Sequence, residues 1–300
     1  MAGEGLAAIA RPSGALAMLA LDQRESLRTM LEAANVGHDD AALSAFKVDA
    51  ARVLSPFASA VLVDVPYGLA PVRDARAVAP GVGLIVAADL LTQAPGGPVE
   101  ATDVDESVLA DDAIAGIADA YKLLVIWRAG SGGDERRRTV TAFVDGCARR
   151  GKPSIVEGIV RSDNETPLEG ERHVDAVVEA ARELAPLGAD LYKAEVPTLG
   201  AAPDDAIAQH SRRLTAALDC PWVVLSNGTP AERFADAAVA ACRGGASGFL
   251  AGRAIWAASI QAQDVRRDLA SGAAERLAAL ATRIDGVARP WWAATTGEPG

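Results

Sequence analysis

Short apolar runs recur along this chain, and a segment with helical periodicity follows each of them. The first run, Ala15–Leu21, ends in the polar triplet Asp22-Gln23-Arg24, and the amphipathic segment RESLRTMLEAAN begins at once. Apolar runs of roughly 4 to 8 residues are typical of strands buried on both faces, whereas a 3.6-residue period is typical of surface helices. The pattern therefore predicts a parallel sheet covered by helices.

The apolar runs number eight, and no Pro/Gly-rich linker interrupts them. They lie at Ala15–Leu21, Ser59–Asp64, Gly83–Asp89, Tyr121–Arg128, Lys152–Arg161, Leu191–Pro197, Trp222–Gly228 and Ser247–Arg253. Eight alternating strands and helices are typical of a (β/α)8 TIM barrel. We therefore predict an α/β fold of this class, with residues 1–300 forming a single domain that has a short N-terminal leader and a C-terminal tail from about residue 287. An open doubly wound sheet is the alternative, but the first turn lacks its Gly-rich fingerprint.

The connection between the third and fourth strands is unusually long. Leu90–Glu106 is acidic and rich in turn residues, which predicts a loop that acts as a lid or as decoration. A helix is expected to follow over about Ser107–Ala120.

The composition and net charge indicate which partners and which cellular compartment fit the protein. The net charge of −11 and the pI near 4.8 argue against a general nucleic-acid or anionic-membrane surface. Three widely spaced cysteines do not suggest a disulfide framework and fit a reducing cytosol. The N-terminus has no signal-peptide pattern, and no apolar stretch reaches transmembrane length. We therefore predict a cytoplasmic protein with no nucleic-acid or membrane partner, and we expect a homo-oligomer.

The sixth apolar run, LYKAEVP, carries a lysine and a carboxylate on one face. Strand alternation puts Lys193 and Glu195 on the same side. Lysine is almost never buried unless it is paired or functional. Two interpretations follow: a structural Lys193–Glu195 ion pair, or a catalytic amine at Lys193.

Polar residues at the carboxyl ends of the predicted strands are the candidates for chemistry, because barrel active sites lie at that end. The candidates are Asp22, Gln23, Arg24, Asp64, Asp89, Lys122, Arg128, Glu157, Lys193, Glu195, Ser226, Asn227, Gly228, Gly252 and Arg253.

Two strand-borne lysines, Lys122 and Lys193, are expected to face one barrel interior. Burial and a like charge both disfavour an ammonium, so each lysine should lower the pKa of the other and favour a nucleophilic amine. Alternatively, Lys122 reaches solvent from the start of its strand. Glu157 lies among apolar residues, which predicts a general acid or base with a raised pKa, or else the counter-ion of a lysine.

The ends of strands seven and eight predict a phosphate site. Ser226-Asn227-Gly228 and Gly252 offer backbone N–H groups, and Arg253 offers a charged fork. A histidine-rich metal site is not expected, because the three histidines fall in a loop and on helices. Carboxylates at Asp22, Asp64 and Asp89 could hold Mg²⁺, but we favour hydrogen bonds to substrate hydroxyls.

The chain resembles the class I aldolases of the tagatose-bisphosphate aldolase family, most closely the branch that cleaves 6-deoxy-6-sulfofructose 1-phosphate. The motifs that carry the resemblance span nearly the whole chain: ALDQRESLRTM, FKVDAARVLSPFASAVLVD, IVAAD with GGPV, YKLLVIWR, SIVEGIVR, GADLYKAEVP, PWVVLSNG and SGFLAGRAIW. The resemblance implies that Lys193 forms a Schiff base, with Lys122 and Glu157 beside it. It also implies substrate contacts from Asp22, Gln23, Ser226 and Arg253, and no cofactor.

The implied substrate is a ketose phosphate that is cleaved to dihydroxyacetone phosphate and an aldehyde. YKLLVIWR and SIVEGIVR resemble the sulfosugar branch, whereas VDVPYGL resembles the tagatose 1,6-bisphosphate branch. Arg128 and Arg161 are candidates for the C6 anion, although both could equally face solvent. A barrel that senses sugar phosphates without turnover is the alternative from another functional class.

Overall fold

The structure, a computed structural model, describes residues 5–162 and 167–295. Within them, eight parallel strands pair in chain order and close into a barrel, because the last strand pairs with the first. The strands are β1 (Leu16–Leu21), β2 (Ala60–Val63), β3 (Gly83–Ala87), β4 (Ala120–Trp127), β5 (Ser154–Val160), β6 (Leu191–Glu195), β7 (Trp222–Leu225) and β8 (Gly248–Ala251). The predicted (β/α)8 barrel is confirmed.

Helices surround the barrel and connect its strands. They are α1 (Glu25–Ala33), α2 (Asp40–Leu54), α3 (Ala70–Asp74), α4 (Glu106–Ala110), α5 (Asp112–Ala115), α6 (Gly133–Arg149), α7 (Gly170–Leu184), α8 (Asp204–Thr215), α9 (Ala231–Arg243), α10 (Arg253–Ile260), α11 (Val265–Asp268), α12 (Ala274–Asp285) and α13 (Trp291–Thr295). None of these described helices is both long and apolar enough to span a bilayer.

The barrel interior is apolar at the amino ends of the strands. Inward-facing residues such as Leu16 and Met18 form one buried cluster with Leu6 and Ile9 of an N-terminal 3₁₀ turn and with Trp291 of α13. This cluster closes the amino end of the barrel. Buried charged side chains of the strands instead line a cavity at the carboxyl ends, among them Lys122, Glu157 and Lys193.

The long connection after β3 is an antiparallel hairpin rather than an irregular loop. Its arms are Asp89–Gln93 and Val99–Val104. The helix predicted over about Ser107–Ala120 is wrong: the chain forms α4 and α5 instead. Asp111 has an extended backbone between them, and its carboxylate accepts hydrogen bonds from the N–H groups of Ala113 and Ile114, so it ends one helix and caps the next.

Candidate active site

A cavity of about 210 Å³ opens at the carboxyl ends of the strands, under the hairpin. The predicted site residues that line it are Asp22, Gln23, Arg24, Lys122, Glu157, Lys193, Asn227 and Arg253. The predicted site residues that do not line it are Asp64, Asp89, Arg128, Glu195, Ser226, Gly228 and Gly252. Gln93 and Val99 of the hairpin also line the cavity, so the hairpin covers its mouth.

Lys122 lies at the centre of three carboxylates. Its Nζ donates hydrogen bonds to Asp22 Oδ2 at 2.8 Å and Asp89 Oδ2 at 3.0 Å, and lies 2.9 Å from Glu157 Oε2. An ammonium has three N–H groups, and two of those of Lys122 are used by Asp22 and Asp89. Lys122 does not snorkel to solvent, because it is only 1% exposed.

These carboxylates decide the charge of Lys122. Burial alone would lower its pKa, but Asp22, Asp89 and Glu157 outweigh burial and hold the pKa of Lys122 well above its ordinary value. The prediction that the two lysines lower each other's pKa is therefore wrong for Lys122. In turn, the pKa of Asp22 lies below its ordinary value, because Lys122 and Lys193 overcome the opposing effect of burial.

Lys193 has a sparser environment. Glu157 and Lys193 are register partners across β5 and β6, and Lys193 Nζ lies 2.9 Å from Glu157 Oε2. Among the described residues, Glu157 is the only carboxylate within 4 Å of Lys193 Nζ. Both lysines approach Glu157 Oε2 as ion pairs rather than as well-aligned hydrogen bonds. Lys193, 3% exposed, therefore carries one charged partner where Lys122 carries three.

The predicted Lys193–Glu195 ion pair does not form. Glu195 is turned away from the cavity, where its two oxygens accept hydrogen bonds from Val160 N–H at 3.0 Å and Asn227 Nδ2 at 2.9 Å. Glu195 therefore joins the ends of β5, β6 and β7.

Arg24 and Asp89 form a second pair at the cavity wall. Arg24 Nη2 donates to Asp89 Oδ1 at 2.7 Å, while the other oxygen of Asp89 accepts from Lys122. Asp89 itself is 3% exposed and forms the base of the hairpin. The hairpin is thus tied to the two cations at its root.

Asp64 lies outside the cavity and is fully buried. It forms an ion pair with Lys47 of α2, and its second oxygen accepts from Tyr67 N–H at 2.9 Å. Burial lowers the pKa of Lys47 and raises that of Asp64, against their mutual attraction. The contact with Lys47 explains why a carboxylate at a strand end does not face the substrate space.

Arg253 and Asn227 lie at the ends of β8 and β7. Arg253 Nη2 donates to Asn227 Oδ1, and burial lowers the pKa of Arg253. Gly252 precedes Arg253, and a Cβ at this position would lie 2.4 Å from the carbonyl oxygen of Ala20. The glycine therefore permits a close approach of β8 to β1 rather than facing the cavity.

The two arginines that are candidates for binding the C6 anion of the substrate lie in different surroundings. Arg161 lines the cavity, and its Nη1 lies 3.8 Å from Glu195 Oε1. Arg128 lies outside the cavity and donates from Nη1 to the carbonyl oxygen of Glu100 in the hairpin, at 3.1 Å.

The sequence analysis did not predict that Lys47 and His173 are buried. Lys47 lies on the same helical face as Leu43, Ala50 and Leu54, and this spacing is the signal that could have shown it buried. His173 of α7 is 2% exposed, and its Nε2 lies 3.6 Å from Glu195 Oε2.

No group of three or more His, Cys, Asp or Glu side chains in the described ranges is arranged to hold a metal ion. The centre of the carboxylate cluster is instead taken by Lys122 Nζ.

Comparison with known proteins gives consistent matches. The model of the DeoC/LacD family aldolases matches residues 16–258. A tagatose 1,6-diphosphate aldolase of Listeria monocytogenes is 28% identical over 96% of this chain and 93% of its own length. Tagatose 1,6-diphosphate aldolase 2 of Streptococcus mutans is 28% identical over 85% of this chain and 84% of its own.

Solved structures share the fold. A fructose-bisphosphate aldolase from Plasmodium falciparum has a TM-score of 0.71 at 13% identity, covering 96% of this chain and 95% of that one. An archaeal fructose-1,6-bisphosphate aldolase, solved with its catalytic lysine bound to a carbinolamine intermediate, has a TM-score of 0.59 at 18% identity, covering 95% of this chain and 100% of that one.

Proposed function

Because this chain belongs to the DeoC/LacD family of aldolases, we propose that it cleaves a ketose 1-phosphate through a Schiff base on Lys193. The observation that carries the proposal is the difference between the two buried lysines. Lys122 is surrounded by three carboxylates that keep it charged. In the described part of the chain, Glu157 is the only carboxylate within 4 Å of Lys193 Nζ. A lysine must lose its proton to attack a carbonyl. Because the carboxylates hold Lys122 in its charged form, Lys193 is the proposed nucleophile.

The proposed mechanism uses Glu157 as the proton carrier. Lys193 gives a proton to Glu157, and its neutral Nζ attacks the C2 carbonyl carbon. Glu157 then gives its proton to the C2 hydroxyl of the resulting carbinolamine, which leaves as water to form an iminium, and Glu157 becomes a carboxylate again. Glu157 then removes the C4 hydroxyl proton, the C3–C4 bond breaks, and its electron pair moves into the iminium to form an enamine. Protonation at C3 and hydrolysis release dihydroxyacetone phosphate and the free lysine.

Lys122 acts beside this centre as a fixed positive charge. Its ammonium lies close to both Glu157 and Asp22, and it can stabilise negative charge on the C2 or C4 oxygen as it develops. Arg253, with Asn227 and Gln23 nearby, is the proposed site of the C1 phosphate.

Two ketose phosphates are candidate substrates. The relatives named tagatose 1,6-diphosphate aldolases support tagatose 1,6-bisphosphate. The second candidate is 6-deoxy-6-sulfofructose 1-phosphate, giving dihydroxyacetone phosphate and sulfolactaldehyde. Arg161 favours it, because a half-buried arginine 3.8 Å from Glu195 offers little net positive charge. A sulfonate carries one negative charge, whereas a phosphate monoester carries nearly two.

The test is covalent trapping. Borohydride added with dihydroxyacetone phosphate is expected to inactivate the enzyme and to add the reduced triose phosphate to Lys193, also in the presence of EDTA. The chain has only four lysines, so peptide mass spectrometry can examine each one. Label on Lys47, Lys122 or Lys152, or no label, contradicts the proposal. A sugar-phosphate sensor would give binding without labelling or turnover.

A further inference from the structure

Glu195 is a buried carboxylate that the proposed mechanism does not use. It is 2% exposed and faces away from the cavity. Its surroundings are unusual, because each of its oxygens meets a different donor: Val160 N–H at Oε2 and Asn227 Nδ2 at Oε1. A buried carboxylate held in this way restricts the groups that it contacts.

The first restricted group is the Asn227 amide. A carboxylate can only accept hydrogen bonds here, so the NH₂ end of Asn227 must face Glu195. The carbonyl oxygen, Oδ1, is then left for the other side of the amide. That side is occupied by Arg253, whose guanidinium can only donate. The chemistry of the two neighbours thus sets one orientation of the amide.

The second restricted group is Arg253. One of its N–H groups is used by Asn227 Oδ1. Holding that edge of the planar guanidinium fixes the direction of its remaining donors, which belong to a cavity-lining side chain. Glu195 also lies near a second cavity-lining arginine, because Arg161 Nη1 is 3.8 Å from Glu195 Oε1.

We propose that Glu195 is a positioning residue that acts through the Asn227 amide to orient Arg253 toward the phosphate of the substrate. This inference rests on the proposed function, since it takes Arg253 as the phosphate ligand. This role differs from the ion pair with Lys193 and from the direct part in the chemistry that the sequence suggested for Glu195.

Glutamine cannot replace Glu195 in this arrangement. Val160 N–H and Asn227 Nδ2 both require an acceptor, and an amide offers only one oxygen. In E195Q, either a donor loses its partner or the Asn227 amide turns over. A turned amide presents NH₂ to Arg253, so two donors face each other and the guanidinium moves.

The experiment compares two ketones that differ only in phosphate. Borohydride inactivation is measured with dihydroxyacetone phosphate and with dihydroxyacetone, for the wild type, E195Q and E195A. Both variants are expected to raise the half-saturating concentration of dihydroxyacetone phosphate about tenfold, and to change that of dihydroxyacetone less than about twofold. E179Q, at an exposed position of α7, is the matched control. E195A, which removes the acceptor of the Asn227 amide, carries the test if E195Q does not fold.

A double-mutant comparison separates positioning from general damage. In an R253A background, E195Q is expected to add nothing, because the residue that it orients is gone. Equal loss with both ketones, or a full additional loss in R253A, overturns the inference. Wild-type enzyme that is not trapped by either ketone instead contradicts the proposed function itself.

Discussion

Lys122 and Lys193 meet at a single oxygen atom: each Nζ lies 2.9 Å from Glu157 Oε2. One carboxylate oxygen therefore lies between two lysine Nζ atoms in a buried space. Of the two lysines, only Lys122 also lies within 4 Å of Asp22 and Asp89, so the arrangement is asymmetric. In the proposed mechanism, this asymmetry separates Lys122, a permanent charge, from Lys193, the reacting amine.

Replacing Lys122 tests this distinction. Lys122→Met leaves three carboxylates facing one another, and we expect kcat to fall by about 10² or more. Labelling by borohydride, although slower, should remain on Lys193. Lys152→Met is the control, because this lysine lies outside the cavity. Loss of labelling at Lys193 together with new labelling at another lysine would contradict the assigned roles.

Arg253 is expected to carry phosphate recognition. Arg253→Ala should lower kcat/KM by about 30- to 1,000-fold, which corresponds to about 2 to 4 kcal/mol of lost charge-assisted hydrogen bonding. Steady-state kinetics on a ketose 1-phosphate measure the effect, and Arg212→Ala on the exposed face of α8 is the control. An unchanged kcat/KM in the Arg253 variant would move the phosphate site elsewhere.

Arg161 is expected to contribute to recognition of the anionic group at C6 of the substrate. The wild type is compared on tagatose 1,6-bisphosphate, 6-deoxy-6-sulfofructose 1-phosphate and fructose 1-phosphate, which lacks a C6 anion. Arg161→Ala is expected to lower kcat/KM at least tenfold, about 1.4 kcal/mol, for whichever anionic ketose is the natural substrate, and to affect fructose 1-phosphate little. Equal effects on all three would remove Arg161 from substrate selection.

The pH dependence of stability follows from Asp22. Its pKa in the folded protein is lowered, mainly by Lys122 against the effect of burial. A depressed carboxyl pKa stabilises the fold above the unfolded value near 3.8 and is lost as the pH falls through the folded value. The Tm difference between wild type and Asp22→Asn should therefore be largest at neutral pH and shrink below about pH 4. A difference that grows in acid has the wrong sign.

The Lys47–Asp64 pair predicts a stability effect without a direct catalytic one. Lys47→Met removes the cation beside buried Asp64 and leaves Arg24 Nε, 4.0 Å from Asp64 Oδ2, as a remaining positive charge. The substitution should reduce the free energy of unfolding by up to about 3 to 5 kcal/mol. Lys47→Met with Asp64→Asn removes the Asp64 charge while keeping an acceptor for Tyr67 N–H, and should recover part of the loss. Denaturant unfolding measures both, and equal destabilisation in the single and double variants would show that the charge is not the cause.

The sequence predicted most of what depends on local periodicity. Eight apolar runs fixed the barrel, and residues at their ends, such as Lys122, Glu157 and Lys193, do meet in one cavity. Features that depend on tertiary partners were missed. Asp64 turns to Lys47 because a helix packs behind it, and Glu195 turns to Asn227 because two neighbouring strands end beside it.

The hairpin after β3 and the division between α4 and α5 are two further features that the sequence pattern did not predict. Leu90–Glu106 contains turn residues, but its pairing into two arms depends on the barrel mouth beneath it. The break at Asp111 depends on the choice of a capping carboxylate over continued helical periodicity. Neither choice is visible in the apolar pattern.

The closed amino end of the barrel, built from Leu6, Ile9 and Trp291, has a kinetic consequence. In the described part of the chain, solvent reaches Lys193 from the side of the hairpin, and the departing aldehyde would occupy that same route. Water for hydrolysis can follow only after the aldehyde has gone. Cleavage should therefore obey an ordered sequence, with the aldehyde as first product and the triose phosphate as the competitive product inhibitor.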